Sequence, residues 1–295
     1  MTLTVYLITG ASRGIFTSKS HDSPCPRLEL GLGYCTSTHT LLCMYTDHGA
    51  TGNNTGIGHG LARILVSRPN CTVIAAVRDP SAAAAHTLLA LPAGEGSRLI
   101  LVKIDAQSDT DAHEAVRYLQ EAENIHHLDV VVANAGYYDD DYRLEDVPLS
   151  KVQRHLDVNT VGILRLFQAV FKPLSKSSQQ QQQQPKFVTI SSFMGSIAGL
   201  DEEYFPGGGY GASKAAANWI TRKIHVENPG FVSFMIHPGF VKTAMGNAAA
   251  RSIGLDSAFS EVDECADGIV KLIDGATRES VGGRFVTVKG QEMAF

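Results

Sequence analysis

Tyr210-Gly211-Ala212-Ser213-Lys214 sets a phenol and an ammonium four residues apart where a helix is expected to start, so both fall on one face. A cation beside a phenol stabilises the phenolate and lets the hydroxyl exchange a proton near neutral pH. Upstream, Ile190-Ser191-Ser192 closes an apolar run and offers a hydroxyl that could reach the same cleft. A Tyr-x-x-x-Lys spacing alone is more often a surface pair. A second chemistry begins at Thr9-Gly10-Ala11-Ser12-Arg13-Gly14-Ile15. Glycines after a strand allow a sharp turn and a close backbone approach to a pyrophosphate, and the N–H groups of the next helix face the anion.

These residues need a scaffold, and the apolar runs supply one. Leu3–Ile8, Thr72–Val77, Leu99–Ile104, Leu128–Val132, Lys186–Ile190, Phe231–Ile236 and Arg284–Val288 read as seven strands. Most are continuous apolar runs, as expected of strands buried on both faces of a parallel sheet. Helical spacing lies between them over Gly60–Ser67, Asp111–Ala122, Leu149–Phe171, Gly211–Val226 and Asp263–Asp274. The alternation predicts one doubly wound α/β domain of the Rossmann type with a seven-stranded parallel sheet.

Two segments break the rhythm. Residues 175–185 run from Ser175 through glutamines 179–184 to Pro185 and read as a polar, solvated loop. Phe16 onward reads as loop for about forty residues, longer than loop statistics favour inside a compact domain. The dipeptide Gly14-Ile15 recurs as Gly56-Ile57, and Gly58-His59-Gly60-Leu61 then starts an amphipathic helix. Excising 16–57 joins Ile15 to Gly58 and restores a TGxxxGxG turn from Gly10, Gly14 and Gly58. The segment is thus either a translated intron or an insertion. Peptides from within 16–57 in the mature protein would dispose of the intron.

The chain has 295 residues, 25 Lys+Arg against 30 Asp+Glu, and a net charge of −5. With 44% hydrophobic residues it has the material for a sizeable core, and it lacks the basic excess of a nucleic-acid binder. No apolar stretch is long enough to span a membrane. Met1–Gly10 carries no basic region of a signal peptide, and the five cysteines form no CxxC pair, so a cytoplasmic protein with reduced thiols is expected. The histidines and cysteines of 16–57 match no compact metal module, and no metal is expected.

In combination these residues resemble the short-chain dehydrogenase/reductase family over essentially everything except 16–57. The resemblance rests on Thr9-Gly10-Ala11-Ser12-Arg13-Gly14-Ile15…Gly58, Asn134-Ala135-Gly136, Asn159, Ser192, Tyr210…Lys214 and Pro238-Gly239, in the family's order. Val77-Arg78-Asp79-Pro80 and Ile190–Ser196 are similar to fungal ketoreductases of the norsolorinic acid type. The resemblance implies that Tyr210 is the general acid for a ketone oxygen. It also implies that Lys214 favours the tyrosinate and holds the nicotinamide ribose, Ser192 holds the substrate oxygen, and Asn159 secures a water of the proton relay. The same resemblance makes Gly10, Ser12, Arg13, Gly14, Ile57, Gly58, Asp105, Asn134, Ala135, Gly136, Pro238, Gly239, Val241 and Thr243 contacts of the dinucleotide. Arg78 and Arg13 suit a 2′-phosphate, which favours NADPH over NADH, although Asp79 stands next in sequence. Phe205, Phe240 and Met245 are candidate walls for a bulky or aromatic ketone, possible polyketides included. The family implies a homodimer or homotetramer. A competing reading is a catalytically impaired nucleotide-binding or interaction protein, since the glycine turn is interrupted.

Overall fold

The computed structural model describes residues 3–9, 38–45, 56–139, 142–180, 184–201 and 205–295. Gly10, Ser12, Arg13 and Gly14 lie outside the described residues. Strands β1 (Leu3–Thr9) and β2 (Thr38–Tyr45) come first, followed by α1 (Ile57–Val66), β3 (Cys71–Val77), α2 (Ala83–Leu89) and β4 (Arg98–Lys103). Then come α3 (Asp111–Glu121), β5 (Val130–Ala133), α4 (Leu149–Leu156), a π-turn (Asp157–Val161) and α5 (Gly162–Gln180). The chain ends with β6 (Lys186–Ile190), α6 (Gly208–Glu227), β7 (Val232–His237), α7 (Ala244–Ser252), α8 (Val262–Gly275), β8 (Phe285–Thr287) and β9 (Glu292–Met293).

The sheet order is β4-β3-β1-β2-β5-β6-β7-β8-β9. The strands pair in parallel except β9, which runs antiparallel to β8. The expectation of seven parallel strands is therefore corrected to a nine-stranded mixed sheet among the described residues. The seven apolar runs are all strands; β2 and β9 are the additions. Alternate residues of β3 explain the unbroken apolar run, because both faces are covered. Val73, Ala75 and Val77 enter one core with Leu61 and Leu65 of α1 and Ile269 of α8. Ile74 and Ala76 enter the other, with Ala115 and Leu119 of α3, Leu166 and Val170 of α5 and Ala217 of α6.

Two further expectations change. Ser175–Gln180 belong to α5 rather than to a loop, since glutamine is a good helix former and the helix is already nucleated. The helix expected over Leu149–Phe171 is interrupted by the π-turn, at which Arg165 donates to Asp157 (2.7 Å) and to the Ala106 carbonyl (3.0 Å).

The segment 16–57, read as loop, contributes β2, and its register is unusual. Thr4 of β1 and His39 of β2 both pair with Cys71, and Val5 and Thr40 both pair with Thr72. On the other side Tyr6 and Leu41 both pair with Val130. A strand has two hydrogen-bonding edges, so the single slot between β3 and β5 satisfies one strand at a time. β1 and β2 thus claim the same partner residues of β3 and β5.

Candidate active site

The carboxyl ends of β5, β6 and β7 and the first turns of α6 meet at one cleft of about 70 Å³. Its walls include Ile57, Asn134, Gly136, Tyr210, Lys214, Pro238, Thr243 and Met245. Tyr210 and Lys214 share the inner face of α6, 8% and 3% exposed. Burial pushes the Tyr210 phenol up to about 12, opposed by a hydrogen bond with the Ser192 hydroxyl. Desolvation lowers Lys214 to about 8, while its Nζ donates to the Ile190 carbonyl at 2.9 Å and lies 5.7 Å from the Tyr210 ring centre. The depression of the phenol expected from its neighbouring cation is therefore not seen here; burial dominates and raises it, and Ser192 alone opposes.

The two serines after β6 separate cleanly. Ser191 borders the cleft, but it is buried and its hydroxyl is given to Asn218 Oδ1 at 2.6 Å. Ser192 is half-buried and starts a 3-10 turn over Phe193–Gly195, accepting from the Met194 amide at 3.3 Å. Gly195 allows that turn to lie on α6 beside Lys214, because a Cβ there would meet the Lys214 backbone carbon at 2.8 Å.

Asn159 sits in the π-turn, fully buried. Its Oδ1 accepts from the Tyr137 amide (2.7 Å), and its Nδ2 donates to the Tyr137 carbonyl (2.9 Å) and to Ser213 Oγ (3.0 Å). These bonds clamp the loop after Asn134-Ala135-Gly136 to α6. His155, also fully buried, completes the clamp. Its Nδ1 donates to the Lys151 carbonyl at 2.8 Å, and its Nε2 accepts from the Asp139 amide at 3.3 Å. Tyr138 then meets the Tyr210 ring edge-on at 5.1 Å.

The remaining expected contacts occupy the rim. Gly58 is the second residue of α1, whose N-cap is Gly56. Asp105 follows β4, its carboxylate accepting from the Gln107 amide at 2.9 Å. Arg78 follows β3, and the adjacent Asp79 carboxylate is engaged by both the amide and hydroxyl of Ser81, which hold it below the usual carboxylate range. Gly239 adopts φ +83°, a left-handed value suited to glycine, and Val241 is buried beside it. Thr243 caps α7 by accepting from Gly246 N at 3.0 Å, so the positive end of that helix faces the cleft. Glycines, a capped helix start and a buried ammonium around one concave space fit a dinucleotide's nicotinamide end.

Of the proposed walls, Met245 lines this cleft and Phe205 lines a neighbouring apolar cavity of about 280 Å³ with Leu144, Phe193, Met194 and Leu200. Phe240 instead packs edge-on against Phe259. Sequence reasoning missed His155, Ser213, Asn218 and His237. Asn218 was within reach, since it continues the Tyr210, Lys214 spacing by one more turn.

Among known proteins, the model of the family described as short chain dehydrogenase matches residues 50–253. The norsolorinic acid ketoreductase nor1 of Dothistroma septosporum is 41% identical over 242 residues, covering 82% of this chain and 89% of that protein. The short chain dehydrogenase gsfK of Penicillium aethiopicum is also 41% identical, covering 83% and 97%. Of solved structures, an NADPH-bound carbonyl reductase from chicken fatty liver has a TM-score of 0.71 at 27% identity, over 83% of this chain and 96% of that one. The family match begins inside the segment read as insert. Thr51-Gly52-Asn53-Asn54-Thr55-Gly56-Ile57-Gly58 has the whole TGxxxGxG spacing without any excision, a signal that a search for repeats of the first turn would have found.

Proposed function

Because the chain belongs to the short-chain dehydrogenase family, we propose that it is an NADPH-dependent ketoreductase acting on a bulky or aromatic ketone, with polyketides as the substrate class to test first. The observation that carries this reading is that Tyr210 and Lys214 line one cleft at the carboxyl edge of the sheet, with Ser192 hydrogen-bonded to the Tyr210 phenol. The whole chain acts in it as one dinucleotide-binding domain.

When bound, the reduced nicotinamide supplies a hydride. The protein's own residues manage the proton. A phenol held at about 12 is protonated throughout the neutral range, the form a general acid needs to protonate a ketone oxygen. Ser192, bonded to that phenol, orients the same oxygen. The Lys214 ammonium stabilises the phenolate left behind, and Asn159 holds α6 against the loop that borders the cofactor. Gly58, Asn134, Gly136, Pro238 and Thr243 would hold the dinucleotide, and Asp105 its adenine. NADPH is favoured because Arg78 stands at the end of β3 while its acidic neighbour is spent on Ser81. Two of the similar proteins named above are a norsolorinic acid ketoreductase and an NADPH-bound carbonyl reductase, which supports the same choice.

Tyr210→Phe tests the assignment. Ketone reduction should fall by about 10²–10⁴-fold, the usual worth of a general acid. NADPH fluorescence titration should stay near wild type. Undiminished turnover would refute the role of Tyr210. A second reading, an impaired nucleotide binder, is favoured by one observation, the shared slot of β1 and β2. Comparison of the full chain with one lacking 16–57 separates the two.

A further inference from the structure

His237 ends β7, immediately before Pro238-Gly239, and its ring reaches across to the serine turn. The three amides after Ser192 each have a separate acceptor. Met194 N–H goes to Ser192 Oγ at 3.3 Å and Gly195 N–H to the Ser192 carbonyl at 2.9 Å. Phe193 N–H goes to His237 Nδ1 at 3.2 Å, the contact of the three made from another strand. The first two bonds close the turn on itself; Asn218 Nδ2, donating to the Gly195 carbonyl at 3.3 Å, ties its far end to α6, and the His237 bond ties its near end to the sheet. The His237 ring also meets Phe193 edge-on at 5.7 Å, and Phe193 meets Phe205 at 4.9 Å.

Resting on the ketoreductase reading, we propose that His237 is a positioning residue that sets the height of Ser192 beneath the substrate oxygen and the pose of the Phe193–Phe205 wall. Its Nδ1 serves as a lone-pair acceptor, which requires a neutral ring with the proton on Nε2. Desolvation lowers the imidazole to about 4, so the acceptor persists through the working pH range. A residue of this kind acts through Ser192 and not on the substrate.

The test is a cycle of His237→Leu and His237→Asn in the wild-type and Ser192→Ala backgrounds of the full chain. Leu removes the acceptor at similar volume, whereas the Asn side-chain oxygen restores one near the Nδ1 position. His237→Leu should lower kcat about tenfold with the NADPH Kd unchanged, His237→Asn should recover most of it, and neither should matter once Ser192 is alanine. Full kcat in His237→Leu, or an equal loss in the Ser192→Ala background, would overturn the proposal. Deuterium exchange over residues 190–196 gives an activity-free readout. Exchange at the Phe193 amide should quicken in His237→Leu and stay slow in His237→Asn; unchanged protection in both overturns the contact. A wild type that reduces no ketone with NADPH would defeat the ketoreductase reading instead, and the exchange result would stand apart from it.

Discussion

Lys214 carries its charge where water scarcely reaches, and the consequence is a pH dependence of known sign. Desolvation lowers it to about 8, so the ammonium is present below that value and disappears above it. The phenol of Tyr210, at about 12, does not titrate in the same window. The kcat/KM for ketone reduction reports the free protein's ionisations. It should be level from about pH 6 to 7 and decline as pH rises through about 8. Lys214→Arg, if folded, should move the decline upward, and a wild-type profile level to pH 10 would contradict the assignment. Asp129 shows the opposite case. Burial raises its carboxyl to about 8, Oδ1 accepts from Ser177, and Oδ2 accepts no hydrogen bond among the described residues, with His127 Nε2 3.8 Å away. The folded state therefore keeps a proton that the unfolded state releases near its ordinary value, and the group's contribution to stability falls as pH rises from about 4 to 8. Asp129→Asn keeps the acceptor for Ser177 and has no charge to bury. Its melting temperature should exceed wild type at pH 8 by several degrees (about 2–4 °C per kcal/mol), with the gap closing at pH 4; a lower value at pH 8 would reject the argument. Tyr210, Lys214 and Ser192 were legible because their relation is local, a helix period or a strand end. His237 and His155 were not, because their partners are backbone amides brought near only by the fold, in the case of His237 from 44 residues away.

The strands were legible because a sheet covered on both faces writes continuous apolar runs, as β3 shows with every residue buried. The π-turn was not, since its period differs from α-helix by one residue and Asn159 reads the same in either. β2 escaped for another reason: its strand lies in a segment with no accompanying helix, and its slot was already claimed by β1. The two candidates for that slot differ in the residues downstream of them. β1 leads directly into Thr9-Gly10, but Phe16 stands where the last glycine of the turn belongs; Thr51…Gly58 has all its glycines, but five residues separate it from Tyr45. Excising 16–57 joins the better strand exit to the helix start. The shortened chain should bind NADPH more tightly by fluorescence titration and melt at a higher temperature, because one strand then satisfies both neighbours without competition. Equal affinity and equal melting temperature in the two chains would show that β2 does not compete with β1.

At the scale of the whole molecule, the apolar surface left on α5, α6 and the adjoining π-turn bears on the expected homodimer or homotetramer. Val161 at the end of the π-turn and Leu164 and Phe171 of α5 are exposed, and Trp219 and Val226, seven residues apart on one stripe of α6, are 66% and 64% exposed. Exposed apolar side chains of this size cost free energy against water, and a symmetric partner that presents the same surface would relieve it. The homodimer or homotetramer expected from the sequence makes a second copy the occupant to test. Trp219 faces outward from the helix whose inner face holds Tyr210 and Lys214, so assembly there would also stiffen the start of α6. Light scattering after gel filtration should give a mass of two or four chains for the wild type and a smaller one for Trp219→Glu, which places a charge at the centre of the stripe. Since Lys214 depends on the same helix, the variant should also lose ketone reduction upon dilution, while the wild type holds its specific rate. A wild type that elutes as a monomer at micromolar concentration would remove the pairing, and with it the expectation that α6 owes its rigidity to a neighbour.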